Sequence, residues 1–271
     1  MPTLETNGAR LYYEVSGEPR NDRYPIIFIH AGIANLTMWD YQFKMFAPDG
    51  QLVRYDTRGF GRTETEDVAY SNRADLIALM DHLGLEKALV VGCSRGGMIA
   101  LDTALEFPDR IAGLMMVCSQ AGGFEIPLPE EQEAVFNRLD GLYNEKKIDE
   151  LSDGETDVWF VGFHRTREQV SPELYAYVRQ MIYENNLKPE SGTPIPLEPM
   201  ATTRLGEVNI PVLVVIGALD TAQALAAADD LEQSIAGARK VTIQQAAHLP
   251  NLEQPDEFNG ALADFVTSVT P

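Results

Sequence analysis

The run Gly92-Cys93-Ser94-Arg95-Gly96, with Gly97 behind it, sets one hydroxyl among small residues. It stands between an all-apolar run, Ala88-Leu89-Val90-Val91, and a helix-like run over 95–106. A serine on such a strand-to-helix turn is lifted clear of the sheet, where it can attack a carbonyl. Its neighbours must be small because the backbone passes close by and takes strained angles. The helix N-terminus behind it offers free N–H groups and a positive dipole end. Glycine and serine are common residues, so the spacing alone is a weak signal, and the strand–turn–helix context strengthens it. The competing reading is a glycine-rich phosphate cradle, but a Lys-Ser/Thr pair and a Gly-x-Gly-x-x-Gly spacing are both missing.

A serine hydroxyl needs a base to take its proton. The chain has four histidines. His30 closes an apolar strand before Ala31-Gly32 and reads as a structural group bonding its own loop. His82 sits inside a helical pattern, and His164 lies in a polar helical region. His248, in Ala246-Ala247-His248-Leu249-Pro250, follows the final strand pattern. A loop at the carboxyl end of a strand is where α/β proteins build their sites. The base in turn needs a carboxylate to fix its tautomer and hold the imidazolium. Asp220 closes the apolar run that begins at Val212 and is the candidate acid, with a helix N-cap beside Thr221 as its structural alternative. The tetrahedral intermediate needs two N–H donors. Arg95 N–H and Gly32 N–H are the candidates, with Ile33 as the alternative to Gly32.

The elements that must position these groups form an α/β pattern. Residues 3–6 and 9–15 flank Asn7-Gly8, a tight-hairpin signal. Strands are expected at 26–29, 52–55, 88–91, 111–117, 212–216 and 240–244. Helical patterns fall at 36–46, 71–83 (capped by Ser71 and closed by Gly84), 95–106, 223–235 and 255–269. Strand–helix alternation with continuous apolar strands implies a mostly parallel sheet of about eight strands covered on both faces. The alternation breaks between 122 and 205, where a mostly helical segment begins after Pro127-Leu128-Pro129 and leaves through a proline-rich tract at 193–199. The expected division is 1–121 and 206–271 as one α/β core, with 122–205 as an inserted helical cap. The aromatic residues of that cap, among them Trp159, Phe160, Phe163, Tyr175, Tyr177 and Tyr183, with Met181, offer an apolar lining or simply pack the cap. Ile33, Trp159, Phe163 and Leu249 are the candidate pocket residues.

Taken together, these motifs resemble those of the α/β-hydrolase superfamily, and the resemblance covers nearly the whole chain. His30-Ala31-Gly32 is similar to the family's His-Gly oxyanion motif. Asp56-Thr57-Arg58-Gly59-Phe60-Gly61 matches its Asp-x-Arg-Gly-x-Gly loop, where carboxylate and guanidinium pin loops near the site. The segment from Ala246 to Pro255, with Asn251, Glu253 and Gln254, is similar to that around the catalytic histidine of 3-oxoadipate enol-lactonases and small esterases. The order Ser94, Asp220, His248 is the family's order. Some relatives carry the acid after the strand that here ends at Cys118, but Cys118-Ser119-Gln120 holds no carboxylate. A serine at 94, where dehalogenases and epoxide hydrolases of this fold have aspartate, implies acyl transfer.

Two departures stand out. Ala31 replaces the usual glycine of the oxyanion motif. Arg95 replaces a residue that is often methionine, and its side chain has two readings: it holds an anionic part of a substrate, or it pairs with an acidic cap residue, as arginine beside acidic surface usually does. Arg165 and Arg167, near His164, offer a hold for a substrate carboxylate or simply belong to a solvated charged face.

The implied activity is hydrolysis of a small to medium ester or lactone without metal or cofactor. Enol-lactonase, C–C hydrolase and perhydrolase chemistry fit the same three groups, and a ligand receptor on the same fold is the non-enzyme alternative. The chain has 271 residues, with 21 Lys+Arg against 41 Asp+Glu and a formal net charge of -20. That charge opposes nucleic-acid binding. No apolar run is long enough for a bilayer, and residues 1–10 lack a signal-peptide pattern. The two cysteines, Cys93 and Cys118, each end an apolar run and read as reduced core thiols. A cytoplasmic protein acting on a small molecule is the expectation.

Overall fold

A computed structural model describes residues 2–189 and 192–271 of the chain. Residues 190 and 191, within the expected cap, lie outside the described residues. The central sheet follows one path of eight strands, β1 (Thr3–Thr6), β2 (Ala9–Ser16), β3 (Ile26–Ile29), β4 (Leu52–Tyr55), β5 (Ala88–Cys93), β6 (Ile111–Val117), β7 (Val212–Gly217) and β8 (Arg239–Ile243). Their spatial order is β1-β2-β4-β3-β5-β6-β7-β8, and a short ninth strand, Glu64–Thr65, pairs with β2. β2 is antiparallel to both of its neighbours, β1 and β4, and every pair from β4–β3 to β7–β8 is parallel. The hairpin register, Thr3 opposite Tyr12 and Thr6 opposite Ala9, leaves Asn7-Gly8 as the turn, with Gly8 at φ 66°.

Every residue of β3, β4, β5, β6 and β7 is buried, as a sheet covered on both faces requires. The covering helices show the matching period. Helix α1 (Asn72–His82) buries Leu76, Leu79 and Met80, with Ser71 Oγ accepting from the Ala74 N–H. Helix α2 (Arg95–Glu106) buries Ile99 to Leu101 and Thr103 to Leu105. Its counterpart behind β7, Ala222–Ser234, buries Ala224, Ala227, Ala228 and Leu231 at i, i+3, i+4 and i+7. The last helix, Pro255–Ser268, buries Phe258, Leu262, Phe265 and Val266.

Between β6 and β7 the chain is helical, as expected: Glu130–Asn144, Ile148–Thr156 running on as a π-helical turn over Asp157–Val161, and Pro172–Asn186. Leu139, Leu142, Leu151 and Val158 form a small core of their own there. Phe160, Val161, Val178, Met181 and Ile182 instead join the main core, so this segment is anchored to the sheet layer by its own apolar residues. The sequence pattern misses two short pairings: Thr193–Pro194 of the proline-rich tract pairs in parallel with Ala69–Tyr70, and Glu64–Thr65 pairs with β2. Two-residue strands have no periodicity to read.

Below the site, Arg58 and Asp75 form a buried two-pronged ion pair, at 2.7 and 2.8 Å. Asp56 accepts from the N–H groups of Leu36 (2.8 Å) and Arg62 (2.7 Å). The Asp-x-Arg-Gly-x-Gly loop therefore pins its surroundings as the resemblance implied. Removing one partner of such a buried pair costs about 3–5 kcal/mol, because the other charge is left stranded. Both cysteines are free and buried. Among the described residues no helix is long and apolar enough to cross a membrane.

Candidate active site

Ser94 leaves β5 at φ 52° and ψ -117°, a backbone conformation rare for a residue with a side chain. Neighbouring strands and its own helix hold it there. Its N–H donates to Val117 O on β6 at 2.8 Å. Its carbonyl accepts from Gly97 N–H (2.9 Å), Met98 N–H (3.2 Å) and Ser119 Oγ (2.7 Å). The glycines are required by close approach: a Cβ on Gly92 would sit 2.3 Å from the Gly96 carbonyl, and one on Gly96 would sit 2.4 Å from the Ile29 carbonyl.

His248 lies on the loop after β8, buried, with Nδ1 2.8 Å from Asp220 Oδ2. Asp220 Oδ1 accepts from the Thr221 N–H at 2.7 Å, which fixes the carboxylate plane. An Nδ1 proton given to this carboxylate leaves Nε2 as the lone-pair nitrogen of a neutral ring. Asp220 is not the helix cap; Thr221 is, accepting from Ala224 N–H through Oγ1 at 3.2 Å. The imidazole packs on Trp159 at 4.6 Å between ring centroids, and the His248 N–H donates to the Trp159 carbonyl at 3.2 Å. The π-helical turn thus presents Trp159 to the histidine from above.

Glu253 holds the histidine loop from beneath. Its carboxylate accepts from the N–H groups of Ala247 (3.0 and 2.9 Å to its two oxygens) and Leu249 (3.0 Å), and it pairs with Arg165. Burial pushes its pKa up against these bonds. Arg165 also donates to the carbonyls of Phe160, Val161 and Gln245, and Arg167 is taken by Asp157. Both arginines are thus engaged by carboxylates: Arg167 is half-exposed, while Arg165 is largely buried and so is not part of a solvated face.

His30 is buried, and burial pushes its pKa down to about 3, so the ring is neutral. Nδ1 donates to Ala31 O at 2.7 Å, and Nε2 accepts from Thr57 N–H at 3.0 Å. It is the loop-bonding group the sequence suggested. His82 meets the hydroxyl of Tyr13, on β2, at 2.9 Å. Gly32 lies against Arg95, where a Cβ would stand 3.5 Å from Arg95 Cδ. Among the described residues, the backbone N–H groups of Gly32, Ile33 and Arg95 donate to no protein acceptor.

Ser94 and His248 open on one cavity of about 570 Å³. Its apolar walls come from Phe124, Ile126, Leu128, Phe136 and Trp159. Of the four residues expected to line it, only Trp159 does. Leu249 is fully buried in the main core, Phe163 packs in the small helical core, and Ile33 packs against the main core. Phe160 and Met181 are likewise core residues, while Tyr177 is turned to Thr37. The lining of 123–128 comes from an irregular segment with no periodicity, so no sequence pattern marks it.

One group of potential metal ligands stands here: Cys118, Asp220 and His248, with ligand atoms within 4.8 Å of one another. Burial pushes the Cys118 thiol well up, which keeps it protonated, and Asp220 already holds His248. The donor chemistry is that of a hydrogen-bonded acid–base pair beside a thiol.

A second cavity, of about 520 Å³, shares Arg95, Met98 and Gly123 with the first and runs under Ile195 to Leu197. Asp102 lines it, and its Oδ1 is buried without a hydrogen-bond partner. Burial pushes its pKa up to about 6. A carboxyl raised above its unfolded value of about 3.9 has its full stabilising effect below that value and loses it as pH rises through about 6. Asp102→Asn is therefore expected to stabilise the protein by about 1–2 kcal/mol at pH 8, discounted for the part of the group that water still reaches. The gain should vanish near pH 4. Thermal melts between pH 4 and 8 measure it, and a pH-independent difference would disprove the assignment.

Residues 24–255 match the family profile described as alpha/beta hydrolase fold. The chain is 27% identical to 3-oxoadipate enol-lactonase 2 of Acinetobacter baylyi, over 96% of this chain and 94% of that one. The crystal structure of an enol-lactonase from Burkholderia xenovorans LB400 superposes with a TM-score of 0.78 at 26% identity, covering 98% of this chain and 100% of that one. A structure described as an N-acyl homoserine lactone degrading enzyme superposes with a TM-score of 0.76 at 28% identity, covering 98% and 100%.

Proposed function

This chain belongs to the α/β-hydrolase fold family, and on that premise we propose that it is a serine hydrolase cleaving a small to medium carboxylic ester or lactone through an acyl-enzyme. The observation that carries the reading is a strained, half-buried Ser94 opening on the same cavity as an imidazole held by Asp220 at 2.8 Å.

His248 Nε2 takes the Ser94 proton as Oγ attacks the carbonyl carbon. The carbonyl π pair moves onto oxygen, and that oxyanion is met by the N–H groups of Arg95 and Gly32. Collapse expels the alkoxide, which leaves with the proton from His248. Water then attacks the acyl carbon as His248 takes its proton; collapse breaks the bond from Ser94 Oγ to the acyl carbon, His248 returns the proton to Oγ, and the acid leaves. Asp220 holds the imidazolium through both halves. The walls of Phe124, Leu128, Phe136 and Trp159 suit an apolar acyl or alcohol group.

Enol-lactonase, C–C bond and perhydrolase chemistry would use the same groups, and the named lactonase relatives favour the first of these. A fluorophosphonate probe tests the common core of all of them. Wild type is expected to label and Ser94→Ala is not; equal labelling of the two removes Ser94 as nucleophile. Rates on p-nitrophenyl acetate, an enol-lactone and a vinylogous diketone then rank the substrates. Negligible turnover of all three with tight retention of a ligand would instead support a receptor.

A further inference from the structure

The guanidinium beside the nucleophile has the wrong partners for a structural arginine. Arg54, Arg58 and Arg73 are buried, and each holds a carboxylate: Glu14 and Asp40, Asp75, and Glu106 respectively. Arg95 has no carboxylate within 4.0 Å among the described residues, although the chain carries 41 acidic residues. Among the described residues, the expected pairing with an acidic cap residue does not form. Neutral groups hold Arg95 instead. Nη1 donates to Thr57 Oγ1 at 2.6 Å, Nη2 donates to Asn72 Oδ1 at 3.2 Å, and the guanidinium lies 4.9 Å from the Phe60 ring centroid. The nearby Asp75 is already engaged by both prongs of Arg58. Burial pushes the Arg95 pKa down, as expected for a cation without a counter-ion.

Neutral partners orient a guanidinium without cancelling its charge. A partly buried cation is costly unless paired, and this one lines both the catalytic cavity and the cavity next to it. Other charges bear on the same space. Glu125 is exposed at the rim of the catalytic cavity, and Asp102 lies in the second cavity beside Arg73, which Glu106 occupies. Neither reaches Arg95.

We propose that the Arg95 side chain is the anion anchor of the site, so that the preferred substrate is an ester or lactone carrying a free carboxylate a few bonds from the scissile carbonyl. The inference rests on the hydrolase reading above and adds a substrate class to it. Thr57, Asn72 and Phe60 set the fork in place, and the substrate brings the counter-charge. The Arg95 backbone N–H keeps its separate place at the oxyanion, so side-chain substitution leaves that donor intact. With a net charge of -20, an unanchored anionic substrate would be disfavoured at long range. A preference for the anion therefore runs against the global field and needs a local cause.

The test compares two esters of matched size, p-nitrophenyl hemisuccinate and p-nitrophenyl butyrate, with wild type, Arg95→Gln and Arg95→Lys. The ratio of kcat/KM, anionic over neutral, is expected to exceed about tenfold in wild type. It should fall at least about tenfold in Arg95→Gln, mainly through KM, and recover in part in Arg95→Lys, in line with the strength of charge-assisted hydrogen bonds. A wild-type ratio near one, unmoved by Arg95→Gln, overturns the anchor while leaving the hydrolase reading in place. If wild type cleaves neither ester, glutarate decides. A rise in the wild-type Tm that Arg95→Gln lacks supports the anion site without the proposed reaction, and no difference in Tm rejects it.

Discussion

Ser94→Ala, His248→Ala and the double variant are expected to lose activity by nearly the same factor, on the order of 10⁶ in kcat. The equality matters more than the size. Without the hydroxyl the base has no proton to take, and without the base the hydroxyl is an ordinary alcohol, so the second loss adds nothing to the first. The folded state should barely notice Ser94→Ala. Alanine keeps the Cβ and the positive φ, and the bonds that hold the turn run through the Ser94 backbone to Val117, Gly97, Met98 and Ser119. Single-turnover and steady-state rates on one ester for all three variants, beside their melting temperatures, measure this. Losses that multiply across the two sites would mean that Ser94 and His248 act in separate steps.

Asp220→Asn should cost about 10⁴-fold in kcat with little change in KM. The surroundings decide how the amide sits. Oδ1 already accepts the Thr221 N–H at 2.7 Å, so the new NH₂ group takes the position facing His248 Nδ1. It donates there, Nδ1 becomes the acceptor, and the ring proton moves to Nε2. The nitrogen that must take the Ser94 proton is then occupied. The buried charge is also gone, so stability should hold while the rate collapses. Rates and melts of Asp220→Asn at one pH separate the two effects. A fall of less than about tenfold would take the orienting role from Asp220. The alternative position for the acid, after β6, holds only Cys118, Ser119 and Gln120.

Much of the scaffold is legible in the residues because its causes are local. Ser71 and Gly84 mark the two ends of a helix through cap chemistry, and the helix runs from Asn72 to His82. Asn7-Gly8 marks its hairpin in the same way. The apolar runs at 88–91 and 212–216 exclude water from both faces, so they become interior strands. His248 could be selected by elimination because only four histidines exist and one follows the last strand. Glu253 was visible as part of a motif, but its task was not. That it clamps the loop through the N–H groups of Ala247 and Leu249 depends on a turn whose path is set by Asn251, which donates to Met38 O at 2.8 Å.

The amino-acid order by itself determined the α/β pattern, the strained serine turn and the identity of the three candidate groups, since each follows from neighbours a few positions apart or from a count of residue types. Only the tertiary structure decided what surrounds them. Ile33, Phe163 and Leu249 are apolar enough to line a pocket, yet packing assigned them to cores, while Phe124, Leu128 and Phe136 took the walls. The lack of a carboxylate beside Arg95 among the described residues is of the same kind. Whether a cation finds a carboxylate depends on segments tens of residues away arriving within 4 Å, and no local pattern encodes that distance.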